Sequence, residues 1–312
     1  MTPAETSTDT ATLRLVLARP AMLGEGLQWH AGSGRWWWTD IESAMLYAWT
    51  PGTAAPLACR LPDRLGCFAH TRSGPLLLGL AKRLCLATLP DPLTTQGPTS
   101  AALEQLCGVD ALEPRTRIND GRCDRAGHFV FGTLNEAPEK RPIGSFYQYS
   151  TRHGLRRLAL PAVAIANSVC FSIDGRTMYF CDTLSRSIQQ CDYDAGTAQV
   201  ANVRLFTQVD GGLPDGSVID AEDCLWNAQW GGGRIVRYDP NGREIAHFDG
   251  APPHTSCPAL GGPRGDELMV TTARSELSRE QLLAHPRSGS LFGLKLHQAL
   301  AVPEVAFDDT PV

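Results

Sequence analysis

Nowhere in these 312 residues does an apolar run approach the ~18 residues that a membrane-crossing helix needs. Clusters of Lys and Arg are also missing, and the net charge is -5. Nucleic acid and anionic membrane surfaces both demand concentrated positive charge, so neither is an expected partner. The ten cysteines include no C-x-x-C pair, and the eight histidines are scattered, so a thiolate zinc site has no spacing to rest on. No G-x-S-x-G elbow, G-x-G-x-x-G turn or P-loop occurs, which leaves serine hydrolase, dinucleotide and nucleotide chemistry without their motifs. The opening MTPAETSTDTAT is polar and has no apolar signal core; residues 1–12 are expected to be a loose tail, and 13–312 one domain of a cytoplasmic protein with reduced, packed thiols. Long amphipathic helices are absent. SELSREQLLAH, from Ser275, alone has helical spacing and predicts a turn or two of helix within a loop.

What the chain does have is repetition. A turn containing Gly or Asp, a short apolar strand, a gap and a second short strand recur six times, every ~40–50 residues. The turns lie at Gly34, Gly74, Gly127, Gly175, Asp223 and Gly265. The strands after them are RWWWTDI, PLLLGLA, HFVFGTL, RTMYFCDT, CLWNAQW and DELMVTTA, rich in β-branched and aromatic residues. Six such units predict an all-β, six-bladed propeller, closed by pairing a strand near LRLVLA with one near VPEVAFDD so that no sheet edge stays bare. A pair of β-sandwiches would account for the strands but not for the sixfold recurrence. The Trp36–Trp38 run cannot face one side of a strand; it is expected to pack between blades with one ring exposed.

Stepping back eight residues from each turn, or nine in the first unit, reaches Glu25, Gly66, Asn119, Asn167, Asp215 and Cys257. Equivalent positions in a propeller share one ring, here the mouth of the central channel. Glu25, Asn119, Asn167 and Asp215 would converge there as two carboxylates and two amides, a hard-oxygen set suited to Ca²⁺, Mg²⁺ or Mn²⁺. Asn-Asp-Gly and Pro-Asp-Gly are also strong turn formers, and Glu25 alone could be a solvated loop charge. Turn chemistry does not explain why oxygen donors occupy matching positions in four of the six units.

Four stretches carry a resemblance: LGEGLQWHAGSGRWWWTDI, RINDGRCDRAGHFVFGTLNE, IANSVCFSIDGRTMYFCDT and GLPDGSVIDAEDCLWNAQWGGGRIVRYDPNG. With them the chain, roughly from Leu23 to Leu296, resembles the senescence-marker-protein/regucalcin and gluconolactonase family. The resemblance implies a six-bladed propeller with one divalent metal at the channel mouth (Ca, Mg, Mn, Zn or Fe(II)) that hydrolyses a sugar lactone, such as an L-arabinono-, galactono-, xylono- or gluconolactone, in carbohydrate metabolism. It implies metal ligands at Glu25, Asn167 and Asp215. It implies Arg117 and Asn119 as substrate contacts with Asp120 nearby, and Glu136 as the acidic contact to sugar hydroxyls. Asp215 is the candidate general base, because a ligand carboxylate can keep one oxygen for a proton. The family commonly has Asn-Gly where Asn167-Ser168 stands. Two other functions are carried alongside: a metal-dependent aryl-ester or organophosphate hydrolase on the same scaffold, and a non-catalytic calcium-binding propeller. An Arg/Asn-rich wall would favour sugars and an apolar wall aryl substrates.

Overall fold

The computed structural model describes residues 11–89 and 99–311. Most of the expected tail, residues 1–10, lies outside the described residues. The strands form six antiparallel sheets. In chain order, the innermost strands are Gly24–His30, Leu65–His70, Thr116–Cys123, Ala166–Phe171, Leu213–Ile219 and Thr255–Gly261, defining blades 1 to 6. Each touches the next, and the last touches the first, so the sheets close into the predicted six-bladed propeller around a channel. Blade 1 carries an additional parallel strand, Thr99–Ser100, beside Leu57–Arg60. The strands expected from the sequence are the second and third of each blade, for example Arg35–Asp40 and Met45–Trp49.

The recurrent turn has a backbone cause. Gly34, Gly74, Gly127, Gly175, Asp223 and Gly265 all have positive φ, between 59° and 114°. Each sits in the turn between the first and second strands of a blade, where the chain must reverse in the left-handed region that glycine and Asp tolerate. Eight residues of strand, at ~3.3 Å each, then reach from this rear turn to the front of the ring. At the front, every innermost strand breaks register against its partner: between Glu25 and Gln28, Leu65 and Cys67, Ile118 and Gly121, Asn167 and Cys170, Pro214 and Ser217, and Thr255 and Pro258. The ring positions therefore lie inside the innermost strands, at β-bulges. A bulge re-aims side chains and frees them from the ladder.

Ring closure differs from the expectation. The N-terminal strand Arg14–Leu17 pairs with Leu291–Lys295, with Arg14 opposite Gly293, and forms the outer strand of blade 6. The VPEVAFDD segment joins no blade and crosses the rear instead. There Phe307 N–H donates to His70 O at 2.8 Å, Asp308 N–H donates to Gly127 O at 2.9 Å, and Glu304 pairs with Arg122. Closure is a long-range choice between two apolar segments of similar local character, and GSLFGLKL has the consecutive buried positions, Leu291 to Gly293, that an interior strand needs.

The tryptophan run also departs from expectation: Trp36, Trp37 and Trp38 are all buried, with no ring left exposed. Trp36 and Trp38 pack toward blade 6, and Trp37 packs with Leu65, Phe68 and Leu78 of blade 2. In a propeller both faces of a sheet are covered by neighbours, so alternation does not imply an exposed side. Nine of the ten cysteines are buried, as packed thiols should be. The predicted helical turn is Arg279–Ala284, started by a capping box between Ser278 and Gln281.

Candidate active site

At the front of the channel lies a cavity of about 660 Å³, a volume suited to a small ligand. Glu25, Arg117, Asn119, Glu136, Asn167 and Asp215 all line it, although blades 1, 3, 4 and 5 supply them. Blade 2 presents no side chain at the ring: a Cβ on Gly66 would lie 2.5 Å from Ile118 O, so close approach of the two strands requires glycine. Blade 6 presents the buried thiol of Cys257.

Hydrogen bonds decide which amide atoms face the centre. Thr183 Oγ1 donates its proton to Pro214 O at 3.0 Å, so toward Asn167 it can only accept; Asn167 Nδ2 donates to it at 2.9 Å. Asn167 Oδ1 is thereby the atom offered inward. Asn119 is fixed in the opposite sense. Its Oδ1 accepts from Arg117 Nη1 at 2.7 Å, leaving Nδ2 to donate to Asn167 Oδ1 at 3.0 Å and Ala166 O at 2.9 Å. Asn119 thus contributes no free oxygen, with both amide hydrogens and its Oδ1 engaged by protein partners, and the inward oxygen set reduces to Glu25, Asn167 and Asp215.

Electrostatics sharpen the picture. Burial, then the nearby Asp120 charge, lifts Glu25 to about 8, against small opposing effects of Gly26 N–H and Arg117. Burial, with Glu25 and Asp120, pushes Asp215 well above the usual carboxylate range. Like charges repel in a poorly solvated place, so these side chains cannot all ionise without a counter-charge. Arg117 does not supply enough: it is itself buried and spends Nη1 on Ile118 O at 3.0 Å and on Asn119. Among the described residues no group of three or more His, Cys, Asp and Glu side chains forms a metal cluster, so the donors here are two carboxylates and an amide oxygen. Such a set fits a hard divalent cation completed by water or substrate.

Two expected residues sit differently from the rest. Asp120 does not line the cavity; its Oδ2 accepts Val169 N–H at 2.8 Å, facing the neighbouring innermost strand. Glu136 lines the wall but is gripped by Arg64, Nη1 to Oε1 at 2.5 Å and Nη2 to Oε2 at 3.0 Å, and lies 3.7 Å from Arg117 Nε. Burial opposes ionisation of Glu136, but the hydrogen bonds and charge of Arg64 hold its carboxyl below the usual range. Residues without a sequence signal complete the mouth. Glu42 and Lys140 stand on the polar side with Arg64 behind them, Leu184, Leu213 and Trp230 form an apolar side, and Ser275 and Glu276 come from the loop before the helix. Trp230 is stacked on His254, with centroids 4.0 Å apart.

With this geometry in place, likeness to known proteins is informative. Residues 23–274 match the family described as SMP-30/Gluconolactonase/LRE-like region. The chain belongs to this family. An L-arabinolactonase of Azospirillum brasilense is 42% identical over 293 residues, covering 93% of each protein. A 6-deoxy-6-sulfogluconolactonase of Pseudomonas putida is 29% identical over 293 residues, covering 92% of this chain and 95% of that one. Among solved structures, a calcium-binding protein, regucalcin, from Agrobacterium tumefaciens superposes with a TM-score of 0.84 at 29% identity, over 95% of this chain and 97% of that one. Membership in the SMP-30/gluconolactonase family spans nearly the whole propeller and includes every blade that contributes a side chain to the mouth.

Proposed function

We propose that this protein hydrolyses a sugar lactone, an aldonolactone of the L-arabinono-, galactono-, xylono- or gluconolactone kind, to the open aldonic acid, with a divalent cation held by Glu25, Asn167 and Asp215. One observation carries the reading: two carboxylates that cannot both be charged are brought beside an amide oxygen locked inward, at the floor of a cavity whose wall carries Arg117, Asn119 and Glu136. The names of the lactonase relatives support the choice of substrate class. The regucalcin likeness supports calcium as one candidate cation, beside Mg, Mn, Zn and Fe(II).

When bound, the cation would supply Lewis-acid polarisation of the lactone carbonyl and stabilise negative charge on its oxygen. The protein's own groups do the rest. Asp215, once its charge is balanced, takes a proton from the water that attacks the carbonyl carbon. The bond from that carbon to the ring oxygen breaks, and the proton passes to the ring oxygen, which leaves as a hydroxyl. Arg117 orients substrate oxygens through the guanidinium donors not spent on Ile118 and Asn119, and Asn119 holds Arg117 and Asn167 in register from the cavity wall. Glu136, kept ionised by Arg64, accepts hydrogen bonds from sugar hydroxyls. Asp120 acts only through its charge on Glu25 and Asp215.

The apolar side formed by Leu184, Leu213 and Trp230 favours a second reading, hydrolysis of aryl esters or organophosphates by the same groups. A pH-indicator assay over a panel of aldonolactones and aryl esters, with chelator and then each dication restored, separates the two. Acid release from aldonolactones that stops with chelator is expected. Release from aryl esters alone would transfer the function to the second reading.

A further inference from the structure

Behind the mouth, Ser168 occupies a backbone position that a non-glycine residue rarely takes, with φ of +61°, and its side chain is completely buried. Glycine would adopt that conformation without strain. The serine hydroxyl makes bonds that glycine could not. Its proton goes to Asp215 O at 2.6 Å, because a carbonyl can only accept. Its lone pairs accept from Ser217 Oγ at 3.0 Å and Asn227 Nδ2 at 3.3 Å. Asn227 Nδ2 also reaches Asp215 O and Gly216 O, each at 3.2 Å. The amide is fully buried, and its Oδ1 has no partner, so it is oriented at the expense of an unsatisfied oxygen. The donors run in a chain that ends on the backbone of one bulge, the one carrying Asp215: Asn227 Nδ2 to Ser217 Oγ at 3.0 Å, Ser217 Oγ to Ser168 Oγ, and Ser168 Oγ to Asp215 O. Of these three residues Ser168 alone belongs to the other bulge, at the position after Asn167, while Ser217 and Asn227 are on blade 5.

We propose that Ser168 is a positioning residue: its hydroxyl ties the Asn167 bulge of blade 4 to the Asp215 bulge of blade 5 and sets the spacing at which their side chains meet a cation. The inference rests on the proposed function for its cation, but its readout is affinity rather than turnover. Outer partners that orient metal-binding side chains typically matter 10- to 100-fold in affinity.

The test compares Ser168→Gly with Ser168→Ala, titrating Ca²⁺ and Mn²⁺ into each by calorimetry and recording thermal unfolding with chelator. Both variants lose the hydroxyl, but only the glycine releases the backbone strain. Ser168→Gly is expected to unfold at or above the wild-type temperature and still bind the dication roughly 10- to 100-fold more weakly. Ser168→Ala is expected to lose affinity equally and stability as well; should it fail to fold, the glycine variant decides alone. Ser217→Ala, which leaves the bond from Ser168 to Asp215 in place, is expected to change affinity less than either. A Ser168→Gly protein with wild-type affinity would overturn the inference while leaving the lactonase reading intact. Wild-type protein that takes up neither Ca²⁺ nor Mn²⁺, nor the Mg²⁺, Zn²⁺ and Fe²⁺ titrated after them, would remove both. Wild-type protein that binds a dication yet opens no lactone would end the lactonase reading, and weakened binding by Ser168→Gly would still support the inference.

Discussion

Asp215 at the front and Asp124 near the rear are both buried aspartates, and they have opposite electrostatic fates. Asp124 accepts Ala126 N–H and His128 N–H, each at 2.9 Å, and Tyr193 O–H at 2.7 Å, with His128 Nδ1 at 3.2 Å. Burial pushes its carboxyl up, but these hydrogen bonds outweigh it and hold the group below the usual range. Asp215 has only the Gly216 N–H against burial, Glu25 and Asp120, and is driven far up. Burial is common to both; the difference lies in whether the fold supplies donors. Asp124 is a solved structural problem, a carboxylate stitching blade 3 to blade 4. Asp215 is left unsolved, as a group awaiting an external positive charge should be.

Mutation gives the largest expected contrast. Asp215→Ala should lower lactone turnover by at least about 100-fold, the lower end of what a general base contributes, and leave the propeller folded. Asp124→Ala should keep the dication affinity but lower unfolding stability by about 2–4 kcal/mol, because several buried donors lose their acceptor. Denaturant titration beside the lactone assay reads both; equal losses of activity and stability in the two variants would erase the distinction.

The pH dependence of stability should also separate the two ends. Glu25 has a folded value of about 8 against 4.5 for the ordinary carboxyl. Its contribution is present below 4.5 and is lost as pH rises through 8, so chelated protein should become less stable over that window. An added dication should reverse the loss, and its stabilising effect should grow with pH. Asp124, depressed below 3.8, contributes stability above that value and loses it only on acidification. Unfolding temperatures from pH 4 to 9, with and without dication, would show whether the alkaline loss exists and whether the cation cancels it.

Arg64→Ala should act more mildly. It frees Glu136 from its two-pronged grip, so KM for the lactone should rise by roughly 10-fold, about one good hydrogen bond, with kcat and dication affinity little altered. A matching fall in dication affinity would mean that Arg64 belongs to the charge balance of Glu25 instead. A further contrast concerns His70, stacked on His30 with centroids 3.8 Å apart. Burial, then the charge of His30, lowers His70 to about 3, so stability should fall as pH drops below 6.5 toward that value. His70→Phe should flatten this acid limb and leave the alkaline one unchanged.

The contrast between the two ends also explains what could be read from the residues alone. Rear turns repeat because each needs a left-handed residue, and Gly34 through Gly265 are visible in one dimension. The innermost strands have nearly equal length, so counting back from those turns lands on the bulges, and Glu25, Asn119, Asn167 and Asp215 reach one cavity. The resemblance implies Asp120 near the substrate contacts, but in a strand neighbouring side chains diverge, and Asp120 faces Val169. Arg64, Glu42, Lys140 and Trp230 had no signal, since three of them lie in loops whose lengths vary from blade to blade, and Trp230 ends a strand where it resembles any packed aromatic.

By itself, the order of residues determined the sixfold period, the all-β architecture and the radial address of the oxygen donors, because backbone handedness and strand length are local properties. Only the folded ring decided that Arg14–Leu17 joins Leu291–Lys295, that Asn119 turns its nitrogen inward while Asn167 turns its oxygen, and that Asp215 lacks the donors Asp124 enjoys. Those outcomes depend on partners tens to hundreds of residues away, and proton affinity and amide orientation are set by whichever neighbours the closed ring brings within hydrogen-bonding distance.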